Sequence, residues 1–330
     1  MMRDLFITNC NNTISEVQEL LNRNPEWSNR YEKYAKKIHA KQDTIKNNKK
    51  KFHEWAPLYL YMNVSEAKGK LIISLRFSGQ DVAKLYIRKD KIIISTKKFD
   101  SNNLRDFGCN VILDDCEWRS QEAKNFRNHF SSYFERTKKS GKGNEEHRIE
   151  NLLLTEFSKK SSGDKKLCKI QPVKLAGIYR FQMPTPLSAS NINKLKYSGS
   201  QGGGIDILAR SGTANGIKLC IIEVKDEYKP NEPPTKVIQQ ALAYATFIQQ
   251  LLRSKSGKEW WKLFGFNRKL PKHIQINVVC AMPTTTDNDT SFSNQIIKID
   301  NDSFQLHYIY FQEKNNEIKD ILTSLSECKK

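Results

Sequence analysis

Three residues in the second half of the chain, Asp206, Glu223 and Lys225, have the types and spacing of a catalytic group. Glu223 and Lys225 alternate in the apolar segment C-I-I-E-V-K, so in a strand both side chains point to one face. Asp206 lies in an earlier apolar segment, and two carboxylates on neighbouring strands repel each other unless a cation lies between them. Hard divalent cations bind such oxygens, and an ammonium beside them can orient water and offset charge on a reacting phosphate. The pattern therefore predicts a divalent-cation site for phosphate chemistry.

The elements that must position these residues follow from the periodicity of the apolar side chains. Asn144 can cap the first helix, and Gly202, Gly203 and Gly204 allow a backbone or ligand to approach closely before Asp206. The resulting order is α-β-β-β-α-β, and a further strand pair is predicted near 295–299 and 304–311. The six predicted elements are a helix over 145–157, strands near 169–175, 205–209 and 219–225, a helix over 236–252 and a strand over 274–281.

This order, with an acid on the second strand and E-x-K on the third, resembles the PD-(D/E)xK nuclease superfamily over about residues 144–285. Gln240 and Tyr244 add the Q-x-x-x-Y that follows the third strand in one branch of these nucleases. Gly-Ile precedes Asp206 where the nominal motif has Pro. The resemblance implies an α/β (α+β) fold with a restriction-endonuclease-like core and a mixed sheet. It also implies a metal-dependent nuclease that hydrolyses phosphodiester bonds.

The resemblance assigns roles to the three residues of the opening pattern and to the following helix. Asp206 and Glu223 would bind Mg²⁺, with Mn²⁺ able to substitute, and Lys225 would assist the attacking water. Gln240 and Tyr244 would steady the site and contact the nucleic-acid backbone. A Gln that merely ends the apolar stripe of an amphipathic helix is the structural alternative.

The first helix offers a third acidic metal ligand, because Glu146 and Glu150 share a face with Leu153 and Phe157. Glu150 is preferred, since it lies one turn nearer to the apolar residues that dock the helix. The acids at the start of this helix also have an ordinary explanation, because they stabilise the helix N-terminus.

The first 136 residues predict a smaller α+β domain with an antiparallel sheet, in which Lys89-Asp90 forms a tight hairpin turn. Residues 137–144, T-K-K-S-G-K-G-N, predict a linker, and residues 145–330 form the nuclease-like domain. The N-terminal domain carries no catalytic constellation, so we expect it to select the substrate or a partner.

The composition bears on partners and compartment. Lys+Arg 55 against Asp+Glu 36 gives +19, which suits a polyanionic partner such as DNA. Seven cysteines include no C-x-x-C pair, and their odd number argues against a closed disulfide set. No leader or membrane-length apolar run is present, so a cytoplasmic protein is expected. The chain also lacks G-x-x-x-x-G-K-[ST] and H-E-x-x-H, which argues against a P-loop ATPase and that class of zinc protease.

Three functions are therefore weighed. The first is a metal-dependent nuclease acting on DNA more than on RNA, in restriction, repair or defence, with a homodimer as one compatible assembly. The second is a catalytically inactive protein that keeps the nuclease fold to bind DNA or a protein partner. The third places function in the N-terminal domain, as a protein-recognition module.

Overall fold

The structure, a computed structural model, describes residues 2–47, 57–65, 70–77, 80–88, 91–96, 107–109, 111–137, 145–158, 169–175, 179–213, 216–226, 232–285, 288–315 and 317–325. These residues form a mixed α+β fold with two seven-stranded sheets, a two-stranded sheet and six helices. The predicted mixed α and β class is thereby confirmed. Within the described residues, no helix combines the length and the apolar character that crossing a membrane requires.

The helices of the described residues are α1 (Met2–Arg23), α2 (Glu26–Asn47), α3 (Gln121–Thr137), α4 (Glu145–Ser158), α5 (Pro234–Arg253) and α6 (Gly257–Leu263). Two of them matter most for the site. Helix α4 carries the predicted acids, and α5 carries Gln240 and Tyr244. Helix α5 begins at Pro234, where a proline costs no helical hydrogen bond, and it is apolar on nearly all sides because it is buried.

The first nine strands are β1 (Leu58–Ser65), β2 (Lys70–Phe77), β3 (Gln80–Arg88), β4 (Lys91–Ser95), β5 (Cys116–Glu117), β6 (Gln171–Pro172), β7 (Lys174–Leu175), β8 (Tyr179–Phe181) and β9 (Leu187–Ser188). The others are β10 (Lys196–Tyr197), β11 (Ile207–Ser211), β12 (Lys218–Val224), β13 (Gln275–Pro283), β14 (Ile296–Ile299), β15 (Asp302–Lys314) and β16 (Glu317–Thr323).

One seven-stranded sheet carries the candidate site and has the order β14-β15-β13-β12-β11-β6, with β16 paired to β15. Strand β11 lies between β6 and β12 and is antiparallel to both, whereas β13 runs parallel to β12. Helix α5 connects β12 to β13, as a parallel crossover requires. The helices and strands predicted for the second half are therefore present in the predicted chain order.

Two local predictions for this sheet need correction. The strand predicted over 169–175 is divided into β6 and β7, which belong to different sheets. Pro172 has no N–H to donate, and Val173 donates to Leu208 before the chain leaves the sheet. The alternation of I-D-I over 205–207 also predicts that Ile205 and Ile207 pack on one face. Both are buried, but they enter different apolar clusters, and β11 begins only at Ile207.

The other seven-stranded sheet has the order β5-β4-β3-β2-β1-β8-β7 and crosses the predicted domain boundary. Strand β8, from the second half of the chain, pairs in parallel with β1, where Tyr61 and Met62 lie opposite Arg180 and Phe181. The predicted antiparallel strands of the first half are confirmed, but they do not form a separate sheet. The division into 1–136 and 145–330 therefore does not separate the sheets.

The apolar core is also shared between the two halves. The ring of Tyr31 on α2 lies 4.9 Å from the ring of Phe247 on α5, and Trp260 Nε1 donates to the Tyr31 carbonyl at 3.2 Å. A second cluster packs α4 against the opposite face of the site-bearing sheet, through residues such as Ile149, Leu153 and Ile222. Helices therefore cover both faces of the sheet that carries the candidate site.

Several predictions lie outside the described residues. These are the Asn144 cap, the turn at Lys89-Asp90, residues 138–144 of the linker and Glu227, which the strand alternation places on the Glu223 and Lys225 face as an alternative partner for Lys225. The strands on either side of the turn are paired as predicted, with Arg88 opposite Lys91.

Candidate metal centre

Asp206 lies directly before β11 and is held against β12. The backbone N–H of Val224 donates to Asp206 Oδ2 at 2.9 Å. In the antiparallel register Ile207 lies opposite Ile222, so one further step places Asp206 opposite Glu223. The two predicted carboxylates therefore converge, as the neighbouring-strand argument requires.

Glu223 and Lys225 lie at the end of β12 and are almost completely buried. Lys225 remains in line with the sheet because its N–H donates to the Ala281 carbonyl at 3.0 Å. Its Nζ lies 3.2 Å from Glu223 Oε1 and 3.3 Å from Glu146 Oε1. The predicted alternation on one face is thus observed, and the ammonium bridges two acids from different elements.

Three acids form a compact group whose oxygens can share an ion. One carboxylate oxygen from each of Glu146, Asp206 and Glu223 lies within 4.8 Å of the others. The structure therefore brings Glu146 into the group in place of the predicted Glu150.

Glu150 lies one turn further along α4 and is 1 % exposed. Docking of the helix through Ile149 and Leu153 buries Glu150 within the fold, whereas Glu146 in the first turn reaches the end of β12. Glu150 Oε2 contacts His147 Nδ1 at 3.2 Å. Its charge also acts on Asp206, so Glu150 lies beside the group.

The charges of the group influence one another strongly. Burial and the charge of Glu150 raise the pKa of Asp206 to about 7. Burial and the charge of Asp206 raise the pKa of Glu223 well above its usual value, although Lys225 opposes this shift. Burial tends to lower the pKa of Lys225, but the charges of Glu223 and Glu146 outweigh it and raise that pKa. Lys225 is therefore an ammonium here, which suits it to orient water and offset charge.

Gln240 and Tyr244 form a buried wall beside the acids. The Tyr244 hydroxyl hydrogen-bonds with the Gln240 side chain and the Ala189 backbone. Burial, followed by the charges of Glu223 and Asp206, raises the pKa of Tyr244. The spacing of one helical turn thus places both residues at the site, as predicted.

The glycine run permits close backbone packing. A Cβ at Gly202 would lie 2.0 Å from the Thr185 carbonyl oxygen, and one at Gly203 would lie 2.7 Å from the Tyr244 hydroxyl. The predicted close approach is therefore made by the 185–187 backbone and by Tyr244.

Two groups near the site were not found from the sequence. His147 is partly exposed, and the hydrogen bond to Glu150 raises its pKa, with a further contribution from Asp206. The spacing of three residues between His147 and Glu150 is a signal that could have identified it. Arg76 on β2 donates to Gln182 at 2.6 Å, and Gln182 in turn lies against Gly204. Arg76 and Gln182 are 106 positions apart, and no local sequence pattern indicates their contact.

Two observations indicate that the carboxylates of Glu146, Asp206 and Glu223 suit a divalent cation. Glu223 Oε2 is buried and has no hydrogen-bond partner among the described residues, which is costly unless a ligand supplies one. The carboxylate oxygens are also the hard ligands that Mg²⁺ and Mn²⁺ prefer. Comparison of the chain with protein-family models, curated proteins and solved structures finds no match.

Proposed function

We propose that this protein is a metal-dependent nuclease that hydrolyses phosphodiester bonds, in DNA more than in RNA. The observation that carries the proposal is the convergence of Glu146, Asp206 and Glu223 around Lys225. Three carboxylates from three elements meet at one point with an ammonium between two of them. Such a group has the composition of a site for phosphate chemistry.

The arrangement of the second half supports a restriction-endonuclease-like core. Helix α4, the antiparallel strands β6, β11 and β12, helix α5 and the parallel strand β13 follow the order implied by the PD-(D/E)xK resemblance. Asp206 precedes the second of these strands, and Glu223 and Lys225 end the third. These positions agree with those expected from the motif and support the proposal.

Glu146, Asp206 and Glu223 would hold the cation. The bound Mg²⁺ would polarise the phosphate and lower the pKa of a bound water. Lys225 remains charged beside Glu223 and orients the water through its ammonium protons. The same charge stabilises the additional negative charge that develops on the phosphate oxygens.

Other side chains hold this arrangement in place. The Val224 N–H fixes Asp206, while Tyr244 hydrogen-bonds with the Gln240 side chain and the Ala189 backbone. His147 pairs with Glu150 at the partly exposed end of α4 and can exchange a proton with solvent. A preorganised site of this kind lowers the cost of reaching the transition state.

The charge balance favours this proposal over the catalytically inactive alternative. Lys225 already pairs with two acids, which is what a purely structural charge cluster would show. However, Glu146, Asp206 and Glu223 carry up to three negative charges when ionised, and Lys225 supplies one positive charge. The remaining negative charge is costly in a buried site, and a divalent cation would offset it.

The test is cleavage of supercoiled plasmid and single-stranded DNA in Mg²⁺ by the wild type, Asp206→Ala and Lys225→Ala. We expect both substitutions to lower the rate by at least about a hundredfold. Lys218→Gln, at the other end of the same strand, is a matched control and should cleave at the wild-type rate. Activity that survives both site substitutions would rule out this assignment.

A further inference from the structure

A polar groove of about 540 Å³ lies away from the carboxylates, between α2, α6 and the β6 edge of the sheet. Its lining includes the basic residues Lys46, Lys174, Arg210 and Lys262, and its described lining contains no carboxylate. Gln42, Gln171 and Asn267 add amide groups. The lining therefore favours an anionic ligand that also accepts hydrogen bonds.

The basic side chains of the groove carry more charge than is needed to offset the negative ends of the helices that finish there. Helices α2, α4 and α6 all end near the groove, at Asn47, Ser158 and Leu263. Each helix C-terminus carries about −0.5 of an elementary charge, so the three supply about −1.5. Lys46, Arg210 and Lys262 alone exceed this, so the groove keeps a net positive charge.

Arg210 is held in the groove by neutral groups. It donates to the Gly265 carbonyl and, at 3.2 Å, to Gln171 Oε1, while its guanidinium lies 5.9 Å from the Phe266 ring. Phe266 is itself stacked on Trp261 at 3.7 Å. The Nε of Arg210 is buried and has no hydrogen-bond partner among the described residues. Burial lowers the pKa of Arg210, as expected for a cation that no carboxylate compensates.

The position of the groove suits a second contact with a long ligand. Arg210 lies four residues after Asp206, so the distance between them along the strand is about 13 Å. Ser158 lies twelve residues after Glu146, so the distance between them along α4 is about 18 Å. Base pairs are stacked about 3.4 Å apart, so these two distances correspond to about four or five base pairs.

We propose that this groove binds the phosphodiester backbone of the nucleic acid, a few nucleotides from the scissile bond. This inference rests on the proposed nuclease function for its ligand class. Lys46, Arg210 and Lys262 contact phosphate oxygens, and the aromatic stack keeps Arg210 in position. The groove therefore contributes affinity and positioning, without taking part in the chemistry.

The test measures the binding of a fluorescent 20-base-pair duplex in EDTA by anisotropy, at several salt concentrations. The groove variant is Lys46→Gln/Lys262→Gln, which removes two charges from the helices α2 and α6. We expect its dissociation constant to rise at least about fivefold. The slope of log affinity against log salt should decrease in magnitude by about 1 to 2, because fewer counterions are released.

The matched control is Lys298→Gln/Lys314→Gln, which removes two exposed charges from β14 and β15, on the far side of the same sheet. It should bind within about twofold of the wild type. Equal affinities and salt slopes for the groove variant and the wild type would overturn the proposal. A second outcome would also overturn the proposal. If the wild type binds adenosine monophosphate more tightly than the groove variant does, and both bind the duplex equally, the groove holds a small phosphate compound.

Failure of this proposal can be distinguished from failure of the proposed function. A wild type that does not cleave DNA in Mg²⁺ contradicts the nuclease assignment. The binding assay contains no divalent metal and still reports whether the groove holds the backbone. Unchanged melting temperatures of both double variants ensure that folded proteins are compared.

Discussion

The backbone N–H of Val224 donates to Asp206 Oδ2, and this 2.9 Å contact links the two strands that carry the acids. It places Asp206 beside Glu223 although the regular pairing of β11 begins only at Ile207. The acid is therefore fixed by the neighbouring strand as well as by its own. The remaining Asp206 oxygen is available for the group shared with Glu146 and Glu223.

The choice between the two glutamates of α4 is open to direct measurement. We expect Glu146→Gln to weaken Mn²⁺ binding, measured by calorimetry, by at least about tenfold, because it removes a charged ligand. Glu150→Gln should weaken binding less than about threefold, since Glu150 lies one turn away from the three-acid group. The opposite ranking would make Glu150 the ligand and Glu146 the partner of Lys225.

The raised pKa of Asp206 predicts how stability depends on pH in the metal-free protein. The folded-state pKa is about 7 and the usual value is 3.8, so the folded protein binds the extra proton between these values. The contribution of Asp206 to stability is therefore lost as pH rises from about 4 to about 7. Asp206→Asn cannot ionise, so in EDTA at pH 8 it should be more stable than the wild type by about 1–3 kcal/mol.

Thermal unfolding at pH 4.5 and pH 8, with and without Mg²⁺, checks this prediction. The advantage of Asp206→Asn should fall to about a quarter at pH 4.5, where the folded wild-type acid is protonated and the unfolded one is already largely ionised. Excess Mg²⁺ should stabilise the wild type at pH 8 much more than the variant, because the ion binds only the intact folded site. A wild type that is more stable than the variant at pH 8 in EDTA would contradict the expected penalty.

Gly203 and Tyr244 should be energetically coupled. Gly203→Ala places a methyl group 2.7 Å from the Tyr244 hydroxyl and should cost about 1–3 kcal/mol of unfolding free energy. In a Tyr244→Phe background the nearest atoms are the Leu187 carbonyl oxygen at 3.5 Å and the ring carbon at 3.6 Å, which are ordinary contacts. The same substitution should then cost much less.

A double-mutant cycle by urea unfolding measures this coupling. We expect an interaction free energy on the order of 1 kcal/mol. Additive effects of the two substitutions would show that the glycine is required by the 185–187 backbone and not by the tyrosine.

The two halves of the chain should not fold independently. A protein of residues 145–330 lacks β1, which pairs with β8, and the α2 rings that pack on Phe247. Its exposed apolar surface should prevent cooperative unfolding, as monitored by near-ultraviolet circular dichroism. A sigmoidal transition with native-like aromatic signals would show that the second half is an autonomous domain.

Local pattern was sufficient to predict part of the site. Alternation in C-I-I-E-V-K predicts that Glu223 and Lys225 share a face, and the four-residue spacing predicts that Gln240 and Tyr244 share another. Both pairs depend only on residues close together in the sequence. The order of helices and strands in the second half was predictable for the same reason.

Contacts between distant segments were not predictable. Glu146 rather than Glu150 joins the acids because of how α4 docks on the sheet, which the helical pattern does not specify. The pairing of β8 with β1 joins residues about 120 positions apart and removes the predicted separation of the sheets. The polar groove likewise forms only where α2, α6 and β6 come together. The sequence of any one of these elements does not indicate it.

The most direct test of the central claim is the Mg²⁺ dependence of plasmid cleavage by the wild type and by Glu146→Gln. We predict that the wild type cleaves only with a divalent cation present. The concentration of Mg²⁺ for half-maximal rate should rise at least about tenfold in Glu146→Gln, and Glu16→Gln, at an exposed position on α1, should match the wild type. Cleavage that persists in EDTA, or an identical Mg²⁺ dependence in all three proteins, would contradict the account.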